Sequence, residues 1–177
     1  MDIRITKTKR SIAAAFLELR ARKPIEKITV KELCARAQIN KSTFYTHYRD
    51  IYDLSEALET QLAQQIVDSL TCPGDLLAHP DRFTQEISRA YIARGPLIGV
   101  LFSGSREPML LQHIERSLQQ ILFEQRPDYR EDVAARVLFT MTIYGSFYAF
   151  MKHRALGEDA VLEVLSRADR ELVKLLK

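Results

Sequence analysis

Apolar residues recur at intervals of three and four along most of the chain, the spacing that places them on one face of a helix. No segment alternates apolar and polar residues in the manner of a strand. Proline and glycine interrupt the pattern and divide its later part into separate helices. The helices predicted there are Asp50–Leu70, Asp81–Arg94, Leu97–Phe102, Pro108–Glu124, Tyr129–His153 and Glu158–Leu176. With the N-terminal helices described next, the pattern predicts an all-α fold of about nine helices.

The segment from Thr29 to Tyr48 predicts two short helices joined by a tight turn. Thr29 can cap the first helix, and Glu32 three residues later completes a capping box. Asn40 restarts the pattern, because asparagine is a preferred N-cap. The apolar residues expected to pack the two helices together are Val30, Leu33, Cys34, Ala37, Ile39, Phe44 and Tyr48.

The outward face of the second helix carries small polar and basic residues and no carboxylate before Asp50. A plain solvated helix normally alternates acidic with basic residues. A polar, basic face on the second of two such helices is typical of a helix that enters the DNA major groove. The alternative is an ordinary pair of amphipathic helices within a bundle.

The charge of the chain is divided unevenly. Residues 1–54 hold twelve Lys and Arg against six Asp and Glu, a net charge of +6, whereas residues 55–177 hold fourteen against seventeen, a net charge of −3. A basic module supplies the non-specific attraction to phosphates that nucleic-acid binding needs. A membrane-binding patch would instead lie on one amphipathic helix beside exposed large apolar residues, so the distribution favours DNA.

Residues 6 to 58, about a third of the chain, resemble the N-terminal module of the TetR family of transcriptional regulators. The resemblance is most specific in the stretch ITVKELCARAQINKSTFYTHY. The first helix of the family is similar to Thr6–Arg22, with its paired alanines Ala13-Ala14 and an aromatic residue at Phe16. Its turn and recognition helix are similar to Ala37–Tyr48, including the run Thr43-Phe44-Tyr45.

The resemblance implies an all-helical homodimer that binds operator DNA and is controlled by a small molecule in its C-terminal domain. It therefore implies a three-helix DNA-binding module over residues 1–54 and a helical bundle for effector binding and dimerisation over residues 55–177. The boundary is expected inside the helix Asp50–Leu70.

Roles in DNA binding follow from side-chain chemistry at the positions that match the family. We expect Lys41, Ser42, Thr43 and Thr46 at base edges and adjacent phosphates. Tyr45, His47 and Thr29 are expected to donate to phosphates, and Asn40 to cap the helix beside the DNA. For Tyr45 and His47 the alternative is packing in the core. The full predicted set is Thr29, Asn40, Lys41, Ser42, Thr43, Tyr45, Thr46 and His47.

Two residues depart from the family pattern. Gln38 stands in the turn where the family usually has glycine, and at positive φ a non-glycine residue costs roughly 1 kcal/mol. Ile51 stands where the family often has a phosphate-binding lysine, so only the N-terminus of the following helix is left to hold a phosphate there. Ile51 motivates an alternative function, a helical adaptor or co-regulator that acts through a protein partner with weak or lost operator binding.

The last two predicted helices are apolar over more than one stripe, which requires burial on two sides. One side can be the core of the subunit and the other a second copy of the chain, and core burial alone is the alternative. Gly145-Ser146 would allow close approach of two backbones. The residues predicted at the dimer interface are Val137, Thr140, Tyr144, Phe147, Leu162, Leu165 and Leu172.

A cavity for an effector is expected between the C-terminal helices. Its predicted lining is Tyr91, Phe102, Met109, His113, Met141 and Tyr144. Methionines and aromatic residues at helical spacing are more often core than cavity, and the sequence assigns no ligand.

Enzymatic chemistry has no support in the motifs. The chain has no glycine-rich phosphate loop, no metal-ligand spacing of His and Cys, and no Gly-x-Ser-x-Gly motif. We therefore predict no catalytic residue, no metal site and no cofactor.

We expect a soluble, cytoplasmic protein without a membrane partner. The segment MDIRITKTKR lacks the apolar stretch of a signal peptide. No run approaches the roughly eighteen apolar residues that span a bilayer, the longest being Leu97–Phe102 and the interrupted Phe139–Met151. Cys34 and Cys72 lie in different predicted elements, and both are interpreted as free thiols.

Overall fold

The structure is a computed structural model that describes residues 3–71 and 73–176. Within these ranges the chain is helical and contains no strand, which confirms the predicted all-α fold with nine helices. Cys72 lies outside the described residues. The helices are α1 Ile3–Arg20, α2 Val30–Ala37, α3 Lys41–Tyr45, α4 Ile51–Asp68, α5 Pro80–Ala93, α6 Gly95–Leu101, α7 Met109–Gln125, α8 Val133–His153 and α9 Glu158–Val173.

The chain divides into two compact units. Unit 1 contains residues 1–62 and 96–110, and unit 2 contains residues 63–95 and 111–177. The chain passes to unit 2 inside α4, between Leu62 and Ala63, and returns to unit 1 between Gly95 and Pro96. It passes to unit 2 again near the start of α7. The segment 96–110, which includes α6, therefore belongs with the N-terminal helices.

The core of unit 1 forms where one face of α1 meets α2 and α3. Buried residues of α1 recur at helical spacing, and α2 and α3 supply the facing side chains. The hydroxyl of Ser11 on α1 donates to the carbonyl oxygen of Ala37 at 3.0 Å, which satisfies an acceptor at the C-terminal end of α2. The buried residues of this core are Ile12, Ala15, Phe16, Leu19, Leu33, Cys34, Ala37 and Phe44.

Buried polar groups hold the segment 96–110 within unit 1. Arg20, at the end of α1, donates to the carbonyl oxygens of Leu101 and Ser103 and, at 2.8 Å, to the Ser103 hydroxyl. The carboxylate of Glu59 is inaccessible to solvent and accepts from the Arg106 Nε at 2.9 Å. Such bonds have strict directions, and a buried charge that loses its partner is costly. They therefore fix one position of this segment in the unit.

Unit 2 is built from α5, α8 and α9 with most of α7. The buried face of α8 contains Ala135, Leu138, Phe139, Thr142, Ile143 and Phe150. The Ser166 hydroxyl on α9 donates to the carbonyl oxygen of Asp81 on α5 at 3.3 Å. Both α5 and α8 pack against α9, so α9 closes the bundle.

The segment Val133–Leu156 is long enough, and with a mean hydropathy of 1.3 apolar enough, to cross a membrane by length and composition alone. The expectation that no segment of this kind exists is therefore corrected. Thr, Ser and Gly interrupt the run of apolar residues in this helix, but they lower its mean hydropathy only a little. A single helix of this kind is weak evidence for a membrane, since core helices of soluble proteins meet the same criteria. A third of the 18-residue stretch with this hydropathy is buried within the bundle.

Candidate functional site

The turn between α2 and α3 is set by local capping. Thr29 caps α2, and its Oγ1 accepts from the Glu32 N–H at 3.2 Å, as predicted. The Glu32 carboxylate pairs with Lys23 rather than with the Thr29 N–H, so the second half of the predicted capping box is not formed. Gln38 ends α2 in the left-handed region, at φ 55° and ψ 42°, and is the non-glycine residue with positive φ among the described residues. Gln38 therefore has the positive φ considered above, which costs a residue other than glycine roughly 1 kcal/mol.

Asn40 caps α3, as predicted. Its Oδ1 accepts from the Thr43 N–H at 2.8 Å and from the hydroxyls of Ser42 and Thr43, each at 2.7 Å. One amide oxygen thus fixes both the first turn of α3 and the orientation of two hydroxyls on its surface.

The ring of Phe44 anchors α3 in the core of unit 1. Its side chain is inaccessible to solvent, and the rings of Tyr45 and Tyr48 lie 5.4 and 5.8 Å from it, centroid to centroid. Tyr45 is 56% exposed, so the alternative that it packs in the core is wrong. His47 is half-buried beside Tyr48, with 6.3 Å between the ring centroids.

The outer surface of α3 is polar and carries no acidic side chain. Lys41, Ser42, Tyr45 and Thr46 are exposed, and Thr43 is half-buried. The Thr46 hydroxyl donates to the carbonyl oxygen of Thr43 at 2.8 Å. We call Lys41, Ser42, Thr43, Tyr45 and Thr46 the α3 surface. The ammonium group and the phenol can donate to phosphate oxygens, whereas the three hydroxyls, whose hydrogens are donated within the chain, can accept from base edges.

The N-terminus of α4 carries carboxylates of the chain itself. Asp50 Oδ1 accepts from the Asp53 N–H at 2.8 Å, and the Asp53 carboxylate accepts from the backbone N–H and the guanidinium of Arg49. The Arg49 backbone N–H and then its side chain hold the pKa of Asp53 below its usual value. One N–H of this terminus, that of Asp53, is therefore already occupied by Asp50. Ile51 is buried, with 6% of its surface exposed.

Cys34 lies in the core where α2 approaches the start of α3. Its side chain is buried, and its Sγ lies 3.8 Å from the carbonyl oxygen of Asn40. Burial raises the pKa of the Cys34 thiol, which keeps it protonated at neutral pH. The predicted free thiol is present.

The residues predicted for a dimer interface lie at different depths in unit 2. Val137 and Thr140 are exposed, Tyr144, Phe147, Leu165 and Leu172 are half-buried, and Leu162 is buried. Tyr144 donates to the Glu115 carboxylate of α7 at 3.0 Å, as Thr140 does at 2.9 Å. Burial, and then this hydrogen bond, raise the pKa of Tyr144 to about 12.

Exposed apolar residues that the sequence interpretation missed lie on the same side of α8 as Val137. Val133 is 75% exposed, Met141 51% and Tyr148 57%, and Val164 of α9 is 56% exposed. The spacing of four from Val133 to Val137 and Met141 was the available signal. We call Val133, Val137, Met141 and Tyr148 the α8 outer stripe.

A cavity of about 40 Å³ lies between α5, α7 and α8. Of the predicted effector residues, Tyr91 lines it. His113 and Tyr144 lie elsewhere in unit 2, and Met141 is exposed. Phe102 and Met109 belong to unit 1. The structure therefore does not bring the predicted set together. The lining residues are Phe83, Thr84, Ile87, Ser88, Tyr91, Leu111, Ile114, Leu118, Thr142, Ile143, Ser146, Phe147 and Phe150.

The carboxylate of Asp169 on α9 is buried behind two of these lining residues. It is 2% exposed, and it accepts from the hydroxyls of Thr84 at 2.8 Å and Ser146 at 2.9 Å. Burial raises the pKa of Asp169 more than the two hydroxyls lower it. The sequence interpretation missed this residue because Arg167 and Arg170 flank it in what reads as a solvated segment. Its spacing from Leu162 and Ser166, both buried, was the signal.

Comparison with known proteins identifies the kind of module that the first helices form. A family model described as "Bacterial regulatory proteins, tetR family" matches residues 12–58. Over 136 residues the chain is 23% identical to the "Uncharacterized HTH-type transcriptional regulator YxbF" of Bacillus subtilis (strain 168). The match covers 72% of this chain and 35% of that protein, so the chain spans about a third of that relative's length.

Replacing Gln38 by glycine relieves the left-handed strain of the turn. We expect Gln38→Gly to raise the free energy of unfolding by about 0.5 to 1 kcal/mol, because relief of the strain exceeds the added entropy of the unfolded chain. Gln38→Ala is the control, since it keeps the Cβ atom and should give no gain. Urea denaturation measures both, and equal stabilities for the two variants would contradict the strain.

Asp169 should make stability depend on pH. Its folded pKa lies above the ordinary 3.8, so the folded chain binds more protons in that window and the free energy of unfolding falls as pH rises through it. Asp169→Asn keeps an oxygen acceptor, and this contribution to the fall should vanish. Urea denaturation from pH 4 upward tests this, with the exposed Glu163→Gln of the same helix as control. Parallel curves for wild type and Asp169→Asn would refute the assignment.

Proposed function

We propose that this chain, with a module similar to that of TetR-family regulators at residues 12–58, is a transcriptional regulator of the TetR type that binds operator DNA as a homodimer. The observation that carries the proposal is the α3 surface, which is polar, exposed and free of carboxylates. Residues 1–54, with a net charge of +6, are the proposed DNA-binding module. Regulators of this family are generally not enzymes.

The side chains of the α3 surface differ in length and therefore in the part of the DNA that they can contact. Lys41 supplies a point charge on a long stem, which suits a phosphate or a guanine edge. The hydroxyls of Ser42, Thr43 and Thr46 are short, so the helix can lie deep in the major groove. Tyr45 stands beside them with its phenol group exposed, placed to donate to a phosphate.

Thr29 and His47 complete the proposed phosphate contacts. The Thr29 oxygen accepts the Glu32 N–H as the cap of α2, which leaves its hydroxyl hydrogen to donate to a phosphate. His47 is half-buried beside Tyr48, so only part of its ring can reach the DNA. Asn40 acts indirectly, because its side-chain oxygen is used to orient α3.

The α8 outer stripe supports the proposed homodimer. Large apolar side chains exposed in a row along one helix mark an interaction surface. Thr140 of α8 and Val164 of α9 are exposed as well. A two-fold dimer would present two α3 helices to half-sites about 34 Å apart, or a multiple of that distance. The buried Leu162 belongs to the subunit core, so we leave it out of the interface.

Control by a small molecule is the further part of the proposal. The cavity of unit 2 lies between α5, α7 and α8, and α8 carries the outer stripe on its other side. An occupant of the cavity can therefore change the packing of the helix that pairs the subunits. We place the protein in the cytoplasm, where its operator is accessible.

A second candidate is a helical adaptor that acts through a protein partner. The carboxylates of Asp50 and Asp53 at the N-terminus of α4 favour it, because they repel a phosphate at a position where Ile51 is buried and supplies no charge. We expect this feature to weaken operator binding without abolishing it. The experiment below distinguishes the two functions.

Fluorescence anisotropy with DNA from upstream of the protein's own coding region tests operator binding. Wild type should bind with an affinity that falls steeply with salt concentration. Lys41→Ala should reduce the slope of log K against log salt by about one, and Tyr45→Ala should weaken binding at every salt concentration.

The control is Arg116→Ala, which removes an exposed cation from unit 2 and should leave the affinity unchanged. Binding that is absent, or that does not depend on salt, Lys41 or Tyr45, would contradict the regulator and leave the adaptor.

Val137→Glu tests the homodimer. The side chain is half exposed in the subunit, so the variant should fold, but a carboxylate in an apolar interface without a partner should prevent pairing. Light scattering after gel filtration should give twice 20.4 kDa for wild type and 20.4 kDa for Val137→Glu. Gln120→Glu, an exposed change on α7, is the control. A monomeric wild type, or a dimeric Val137→Glu, would refute the interface.

A further inference from the structure

One wall of the unit 2 cavity carries a hydroxyl with no partner. Thr142 is 2% exposed, and its Oγ1 has no hydrogen-bond partner. A buried polar atom left without a partner is costly. Because Thr142 lines the cavity, an occupant with a polar group there would satisfy it.

Two other hydroxyls in the lining already donate their hydrogens to a carboxylate of the chain. Thr84 and Ser146 both donate to Asp169. Each hydroxyl oxygen keeps lone pairs but has no further hydrogen to offer. These two groups can therefore only accept hydrogen bonds from an occupant, which must itself be a donor.

The ionisable group behind this wall is the carboxylate of Asp169. None of the residues that line the cavity is charged. Asp169 is buried, and no ammonium or guanidinium group contributes to its pKa, which burial and the two hydroxyls set. The nearby Arg170 faces Asp81 at 4.0 Å. In surroundings of low dielectric constant an ionised Asp169 attracts a cation and repels an anion.

The size and the remaining surface of the cavity limit what can enter. Its volume of about 40 Å³ corresponds to roughly three water positions, or about four non-hydrogen atoms. Apart from the hydroxyls the lining is aliphatic and aromatic, with Ile114, Leu118 and Phe150 among its members. A compact apolar body with one polar end fits these limits.

We propose that this cavity binds a short primary alkylammonium ion. The ammonium group donates to the oxygens of Thr84, Ser146 and Thr142, its charge is balanced by Asp169 behind them, and the alkyl chain lies against the apolar lining. The inference rests on the proposed control of the regulator by a small molecule, and it assigns the chemical class of that molecule.

The test uses the full chain without DNA and follows the methyl resonances of Thr142, Ile143 and Leu118 by NMR. The probes are n-propylammonium chloride, 1-propanol and sodium propionate, at matched ionic strength with sodium chloride as blank. Propylammonium should bind saturably and at least about tenfold more tightly than propanol, because bonds to charged groups are the stronger ones. Propionate should not bind.

Equal affinity for propylammonium and propanol, or no saturable shift with propylammonium, would overturn the proposal, since the cavity would then hold only water or neutral solutes. These wild-type titrations decide the matter whether or not any variant folds.

Two variants test the assigned roles. Asp169→Asn keeps an acceptor for both hydroxyls and should remove the preference for the cation. Thr142→Val replaces the orphaned hydroxyl by a methyl group and should weaken propylammonium binding by about tenfold. The control is Thr140→Val on the same helix, which is exposed and bonds Glu115 and should bind like wild type. Unchanged affinity in Asp169→Asn would refute the role of the carboxylate.

The outcome is independent of operator binding. If anisotropy shows operator binding but propylammonium does not bind, the ligand class is wrong and the regulator stands. If propylammonium binds but no operator is bound, the ligand class stands and the proposed function fails.

Discussion

The burial of one aromatic ring, Phe44, holds the whole α3 surface in place. A helix of five residues is too short to persist on its own. Phe44 is inaccessible to solvent in the core of unit 1, and the Asn40 side chain caps the first turn. The buried Phe44 ring therefore stabilises the position of α3, and the polar side chains of the helix can remain exposed.

The features of the N-terminal module that were predictable from sequence are local ones. Caps at Thr29 and Asn40 depend on residue type and on the next three positions, so the chemistry of one turn is enough to predict them. The left-handed conformation at Gln38 follows from the turn geometry in the same way. Depth was less predictable. Phe44 and Tyr45 are adjacent aromatic residues with opposite burial; the helical pattern predicted Phe44 inside but left core packing of Tyr45 open.

In unit 2 the sequence predicted fewer of the buried residues and of their contacts. A helix that is apolar most of the way round, such as α8, does not show from its sequence which face is buried, so Met141 was expected inside and is exposed. On α9, Leu162 was expected at an interface and is buried. Asp169 was missed because its partners, Thr84 and Ser146, are distant in sequence. The membership of segment 96–110 in unit 1 rests on contacts such as that of Arg20 with Ser103. Contacts between residues so far apart in the sequence produce no periodic pattern of apolar and polar positions.

The shared bonds at Asn40 have a consequence for how DNA would be read. The hydroxyl hydrogens of Ser42 and Thr43 are both donated to the Asn40 Oδ1, so each hydroxyl oxygen is left only as a hydrogen-bond acceptor. In the major groove such an oxygen matches the exocyclic amino groups of adenine and cytosine, and it is repelled by the carbonyl oxygens of guanine and thymine. To read those bases, a hydroxyl must first leave the cap. The residue that starts the helix thus also biases its base preference.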